Sequence, residues 1–152
     1  MTHRLIVPDA NIFAKLLHPE PDSPEAKVFF KTCVATGAKL VVPELFKYEI
    51  AEVTRYHKGS LAKTLDLLDA HLNAIMTVSS PDRDSWLLAE EITQNGHDKS
   101  GFPTIYDSIY HALAIHMDGT FLTADKRHYA KAKSFGHIKL LEDWEGIFTG
   151  AQ

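Results

Sequence analysis

Short apolar runs alternate with longer amphipathic ones along the whole 152-residue chain, and this alternation restricts the fold more than any other feature. A strand, a helix and a further strand normally join by a crossover that leaves the two strands parallel. The pattern therefore predicts a single α/β domain spanning 1–152: a three-layer α/β/α sandwich around a mostly parallel sheet. Residues 4–8 read as the first strand, stopped by Pro8-Asp9. A helix from near Asn11 ends by His18, because Pro19 and Pro21 cannot continue it. Ser23-Pro24 opens the next helix and Gly37 closes it. Lys39–Val42 is the second strand, and Pro43 opens a helix lasting to about His57. Ser60 caps another helix, whose Leu61, Leu65, Leu68 and Leu72 form a stripe read as intramolecular core. Residues 75–78 form the third strand, and Ser80-Pro81 starts a helix through Gln94. A polar loop at 96–103 follows, then a helix capped by Thr104 that reaches about Met117. A strand at 119–123, a helix at 125–134 and a last strand at 137–140 complete a core of about residues 4–141. Trp144, Ile147 and Phe148 in the tail are expected to pack back on it.

Composition removes several function classes. The longest apolar stretches fall far short of the ~18–20 residues of a membrane helix, and the N-terminus shows no signal-peptide pattern. The single Cys33 cannot make an internal disulfide, and a small buried hydrophobe is its expected role. A soluble cytoplasmic protein is expected. Sixteen Lys+Arg against twenty Asp+Glu leave a net charge of −4, which argues against holding nucleic acid by simple phosphate neutralisation. Nine histidines are scattered, without the spacing of a zinc site.

Four acids stand out. Ligands of open α/β sheets sit beyond the carboxyl ends of the strands. Asp9 follows the first strand immediately, and Asp125 lies two residues past the strand at 119–123. Either alone reads equally well as a helix cap. On a wheel of roughly 100° per residue, Glu49 falls within the apolar arc formed by Leu45, Phe46, Ile50, Val53 and Tyr56. A carboxylate there needs a partner, and a salt bridge to Arg55 or Lys15 is the ordinary explanation. The helix after Thr104 is apolar nearly all round, with one polar stripe of Thr104, Asp107, Ser108 and His111. Asp107 in its first turn is favoured by the helix dipole, and His111 is expected as a hydrogen-bonded structural histidine. In a parallel sheet all four acids approach one edge. Two carboxylates 4 Å apart repel by roughly 4 kcal/mol at an effective dielectric near 20, so four together raise their pKa values or recruit a cation. An all-oxygen set favours Mg²⁺ or Mn²⁺, and such an ion serves phosphodiester hydrolysis.

Val7-Pro8-Asp9-Ala10-Asn11, the segment from Pro43 to Ile50 around Glu49, the segment from Tyr106 to Ala114 around Asp107, and Leu122-Thr123-Ala124-Asp125-Lys126-Arg127 occur in order over roughly residues 5–141. In these pieces the chain resembles the PIN-domain nucleases, particularly the VapC-like toxins of toxin–antitoxin pairs. The resemblance implies that Asp9, Glu49, Asp107 and Asp125 bind Mg²⁺ or Mn²⁺ and carry catalysis. It also implies cleavage of single-stranded RNA to 5′-phosphate and 3′-hydroxyl ends, a protein antitoxin as partner, and a homodimer. Two features depart from the toxin pattern: Glu52 stands where many members have Asn, and the connection before Tyr106-Asp107 is longer.

The segment after Asp125 carries Lys126, Arg127, Lys131, Lys133 and Lys139 and no acid as far as Leu141. It is expected to hold phosphates near the ion, Lys126 and Arg127 above all. Asn11, Thr123 and Ser108 are candidates to orient water, substrate or a ligand carboxylate. The 96–103 loop, with Lys99, is either a substrate-facing flap or a surface insertion. Two rivals remain: a non-catalytic PIN-like module that binds RNA or protein, and phosphoryl chemistry on a small molecule. The second lacks a Gly-rich phosphate loop or a D-x-D-x-T motif.

Overall fold

The structure is a computed structural model that describes residues 4–150. The first three residues, read above as carrying no leader, and the last two fall outside that range. The order is β1 (Leu5–Pro8), α1 (Ala10–Leu17), α2 (Ser23–Thr36), β2 (Lys39–Val42), α3 (Leu45–Tyr56), α4 (Leu61–Ala74) and β3 (Met76–Val78). Then come α5 (Arg83–Thr93), α6 (Ile105–His116), β4 (Thr120–Thr123), α7 (Lys126–Ala132), β5 (Ile138–Leu140) and α8 (Glu145–Thr149).

The five strands are all parallel, in the order β3-β2-β1-β4-β5. From central β1 the chain winds outward to β2 and β3, and later sets β4 on β1's other side before adding β5. The strand order therefore reverses between β1 and β4, the place where open α/β sheets carry their ligand crevice, beyond the carboxyl ends of the strands. Ile6, Val7, Phe121 and Leu122 are fully buried in the middle of the sheet. Helix α6 packs over β1 and β4, while α3 reaches the same end by packing on α1.

Local chemistry explains the boundaries. Ser60, Asp82 and Thr104 each accept a backbone N–H of the following turn, which stops the helices α4, α5 and α6 from fraying. Gly37 ends α2 in a left-handed conformation (φ 71°) that a side chain would oppose. Gly119 precedes β4 where a Cβ would lie 2.5 Å from the Leu5 side chain and 2.6 Å from its carbonyl oxygen. The helix expected to open at Pro43 begins at Leu45, and the one expected at Ser80-Pro81 begins at Arg83, because Asp82 caps it. The helix expected over 125–134 ends as α7 at Ala132, with a short 3₁₀ turn at Lys133–Phe135. The tail packs as expected: Trp144 and Ile147 are buried, and the indole N–H of Trp144 donates to Glu25 Oε2 at 2.8 Å.

The leucine stripe of α4 departs from expectation. Leu68 is buried, but Leu61 is 48% exposed. With Leu65, Leu72, Phe46, Tyr48 and Val78 these leucines wall a cavity of about 590 Å³ between α3 and α4. An apolar stripe records which face avoids water, and here part of that face meets a groove rather than a neighbour.

Candidate active site

Asp9 leaves β1 as the backbone turns into α1, and its own N–H donates to Leu122 O at 2.8 Å. Its carboxylate does not cap α1. It is turned instead toward β4, where Thr123 Oγ1 donates to Oδ2 at 2.8 Å and Asn11 Nδ2 donates to the same oxygen at 3.2 Å. Asn11 is itself pinned, its Oδ1 accepting the Ala124 N–H at 3.2 Å. Burial, then the charge of Asp107 and to a smaller degree that of Glu49, push the Asp9 carboxyl up to about 8 against the pull of Thr123.

Asp107 stands in the first turn of α6, where its N–H donates to the Thr104 hydroxyl at 3.2 Å. Its pKa is pushed up to about 6 by burial, then by the charges of Asp125 and Glu49. Asp125 does cap its helix: Oδ1 accepts the N–H groups of Arg127 at 2.9 Å and His128 at 3.1 Å. The ordinary helix-start role thus applies to Asp125 and fails for Asp9.

Glu49 on α3 has neither ion-pair partner considered for it. Lys15 bonds Glu20 at 3.3 Å and Asp22 at 2.8 Å, while Arg55 pairs with Glu52 on the exposed face. The partner of Glu49 is the Tyr110 hydroxyl, which donates to Oε1 at 2.6 Å. Burial raises the Glu49 pKa, and this hydrogen bond opposes the rise. Tyr110 escaped the sequence reading because it lies 61 residues from Glu49 and sits among apolar neighbours. One cue was present: a tyrosine in an otherwise apolar buried helix needs an acceptor for its O–H.

The other candidates divide. Thr123 and Ser108 are fully buried, so neither offers a surface to a substrate. Thr123 instead fixes Asp9 and accepts the Asp125 N–H at 3.0 Å. Ser108 Oγ has no partner among the described residues. His111 is the structural histidine expected: Nε2 meets Gly136 O at 2.7 Å, and Nδ1 meets His128 Nε2 at 3.2 Å. The carbonyl obliges Nε2 of His111 to donate, so its Nδ1 accepts and His128 Nε2 is the donor. Desolvation keeps both rings neutral, with His128 lowered to about 4. Lys126 and Arg127 are exposed directly after Asp125. The basic segment does not stay together: Lys139 belongs to edge strand β5, level with Leu122, and lines a separate cavity with Arg4 and Lys39. The loop at 96–103 closes on itself through reciprocal backbone bonds between His97 and Gly101, at 3.0 and 2.7 Å. It abuts α7, where Asn95 Nδ2 donates to Lys131 O. Cys33 is buried and its thiol pushed up to about 12, which suits a packing role.

Among the described residues no lysine or arginine forms an ion pair with any of the four acids. No group of three or more His, Cys, Asp or Glu side chains among them is placed to hold a metal ion as the structure stands. The donor set nevertheless suits a hard divalent cation: all its donors are carboxylate oxygens, Asp9 is buried, and the mutual repulsion is left uncompensated.

A partly buried acid cluster at the switch point of a five-stranded parallel α/β sheet defines the class, and comparison with known proteins defines the family. The PIN domain model matches residues 6–134, and the chain belongs to that family. Solved structures share the fold at low identity. VapBC-1 of nontypeable Haemophilus influenzae has 11% identity and a TM-score of 0.67, covering 91% of this chain and 98% of that one. VapBC2 of Rickettsia felis, bound to a DNA fragment from their promoter, has 13% identity and a TM-score of 0.65, covering 90% and 96%. FitAcB of Neisseria gonorrhoeae has 15% identity and a TM-score of 0.57, covering 89% and 95%. Comparison with curated protein sequences gives no match.

Proposed function

We propose that this chain is a Mg²⁺- or Mn²⁺-dependent endoribonuclease that hydrolyses phosphodiester bonds of single-stranded RNA, serving as the toxin of a toxin–antitoxin pair. The observation that carries the reading is Asp9: a buried carboxyl beside Asp107 and Glu49, lifted to about 8, with no ion pair to a lysine or arginine among the described residues. Membership of the PIN family and likeness in fold to VapBC proteins support the same class and suggest a protein antitoxin as partner. A homodimer acting in the cytoplasm belongs to the same proposal.

Asp9, Glu49, Asp107 and Asp125 would hold the ion. When bound, it supplies an activated water and a counter-charge for the leaving oxygen of an in-line displacement. Thr123 and Asn11 fix the Asp9 oxygen they bond, so the carboxylate does not swing when substrate arrives. Lys126 and Arg127 hold the phosphates flanking the scissile bond.

The test is cleavage of a mixed RNA pool in Mg²⁺, Mn²⁺ or EDTA. Cutting is expected only with metal, and Asp9→Asn or Asp107→Asn should abolish it while leaving a folded protein. Undiminished cleavage by both purified variants overturns the proposal. Protein that retains RNA in chelator and never cuts it with Mn²⁺ favours the binding-module alternative.

A further inference from the structure

We propose that Tyr110 is a positioning residue of the site, its fixed hydroxyl holding the Glu49 carboxylate in one orientation beside Asp9 and Asp107. This assignment rests on the metal-dependent reading above and adds to it a positioning residue beside Thr123 and Asn11.

Two of the other acids have their orientation set by the backbone or by short neighbours. Asp9 is held by Thr123 and Asn11, and Asp125 by two N–H groups of α7. Glu49 has the longest side chain of the four and comes from α3, which packs chiefly on α1 and α4, whereas α6 packs on β1 and β4. Its one side-chain hydrogen bond among the described residues is the 2.6 Å bond from Tyr110. The donor cannot drift. Tyr110 is fully buried, and its ring stacks on Phe121 with centroids 5.9 Å apart and planes 23° apart. Phe121 lies in β4, two residues before the Thr123 that holds Asp9. One strand thus anchors the supports of two acids, and α6 carries both Asp107 and, one turn on, Tyr110.

A carboxylate free to sample its rotamers presents the right oxygen only part of the time, and ligand-orienting partners of this kind typically affect metal affinity by about 10–100-fold. Tyr110 bonds one oxygen of Glu49 and leaves the other without a protein donor among the described residues.

Tyr110→Phe removes a single oxygen and keeps the ring, so the packing on Phe121 survives. Mn²⁺ binding by calorimetry to the parent, Tyr110→Phe, Glu49→Gln and the double variant forms a cycle. Tyr110→Phe is expected to weaken Mn²⁺ by about 10-fold or more, and to add no further loss once Glu49 is Gln. Its metal-free melting temperature, read alongside, establishes that the variant is folded. Parent-like affinity in Tyr110→Phe overturns the assignment, and so does an equal loss in the Glu49→Gln background, which marks a merely structural role. A parent that binds no Mn²⁺ overturns both this assignment and the metal-dependent reading. A parent that binds Mn²⁺ and cleaves RNA while Tyr110→Phe binds equally well overturns this assignment alone.

Discussion

At the scale of single residues, Asp9 sets the energetics of the site. In the folded metal-free protein it keeps its proton up to about pH 8, whereas the unfolded chain loses it near the ordinary value of 3.8. The folded state then binds the extra proton between those values, and stability falls as pH rises through them. Buried neutral histidines act in the opposite sense: His128, lowered to about 4 from 6.5, costs stability as pH falls below 6.5. Comparing parent with Asp9→Asn cancels the histidines. The amide keeps an acceptor for Thr123 and carries no charge, so the variant is expected to be more stable at neutral pH. Its advantage should widen by about 4 kcal/mol between pH 5 and 8, at about 1.4 kcal/mol per pKa unit. Urea melts in chelator at several pH values measure it, and an advantage that is absent or independent of pH contradicts the charge cost assigned to Asp9. A residue that destabilises the resting fold and is kept at the site is the expected signature of function over stability.

At the scale of elements, the start of α6 joins stability to the site. Thr104 caps the helix by accepting the Asp107 N–H, so one hydrogen bond both ends the helix cleanly and sets the backbone of an acid. Thr104→Ala should lower unfolding stability by about 1 kcal/mol and reduce cleavage without abolishing it. Equal stability by denaturant titration would show the cap to be idle. Such caps are why the elements could be read from the chain: Ser60, Thr104 and Gly37 act within one turn of themselves, and short-range chemistry is written locally. Asp9 and Asp125 were legible for the same reason, since the end of a parallel strand fixes where the next residue points. The Tyr110–Glu49 bond was not, because it depends on how α6 sits against α3, which no local pattern encodes. Thr123 orients a ligand carboxylate, as its place at a strand end allows, but the full burial of Thr123 and Ser108 is not legible in the sequence for a related reason. Being polar near a strand end or in a polar stripe does not say on which side of the packed layer a hydroxyl falls. The half-exposed leucines of α4 fail likewise, since periodicity identifies an apolar face and not what covers it.

At the scale of the whole molecule, a net charge of −4 has to coexist with a polyanionic substrate. The fold separates the signs: acids line the crevice beyond β1 and β4, while Lys126 and Arg127 stand exposed beside it. With the acids occupied by a divalent ion, the local field that RNA meets changes sign, as the ion is the largest local charge. Lys126→Ala with Arg127→Ala should therefore weaken single-stranded RNA whatever its sequence. The slope of log affinity against log salt should flatten by about 0.7 for each phosphate that is no longer neutralised, and an unchanged slope would place RNA elsewhere.

The same uncompensated charge links the ion to global stability. A ligand that binds only the folded state stabilises it by RT ln(1 + [L]/Kd), about 2.7 kcal/mol at one hundred times Kd. For a domain of this size each kcal/mol moves the melting temperature by about 2–4 °C, so saturating Mn²⁺ should raise that of the parent by about 5–10 °C. Asp9→Asn begins from a higher metal-free melting temperature and should gain far less, because an amide is a much weaker ligand for the ion than the carboxylate it replaces. The two proteins should thus converge, or cross, as Mn²⁺ is added. Parallel curves would mean that the ion, if it binds, does so away from Asp9, and that the crevice beyond β1 and β4 is not where the metal acts.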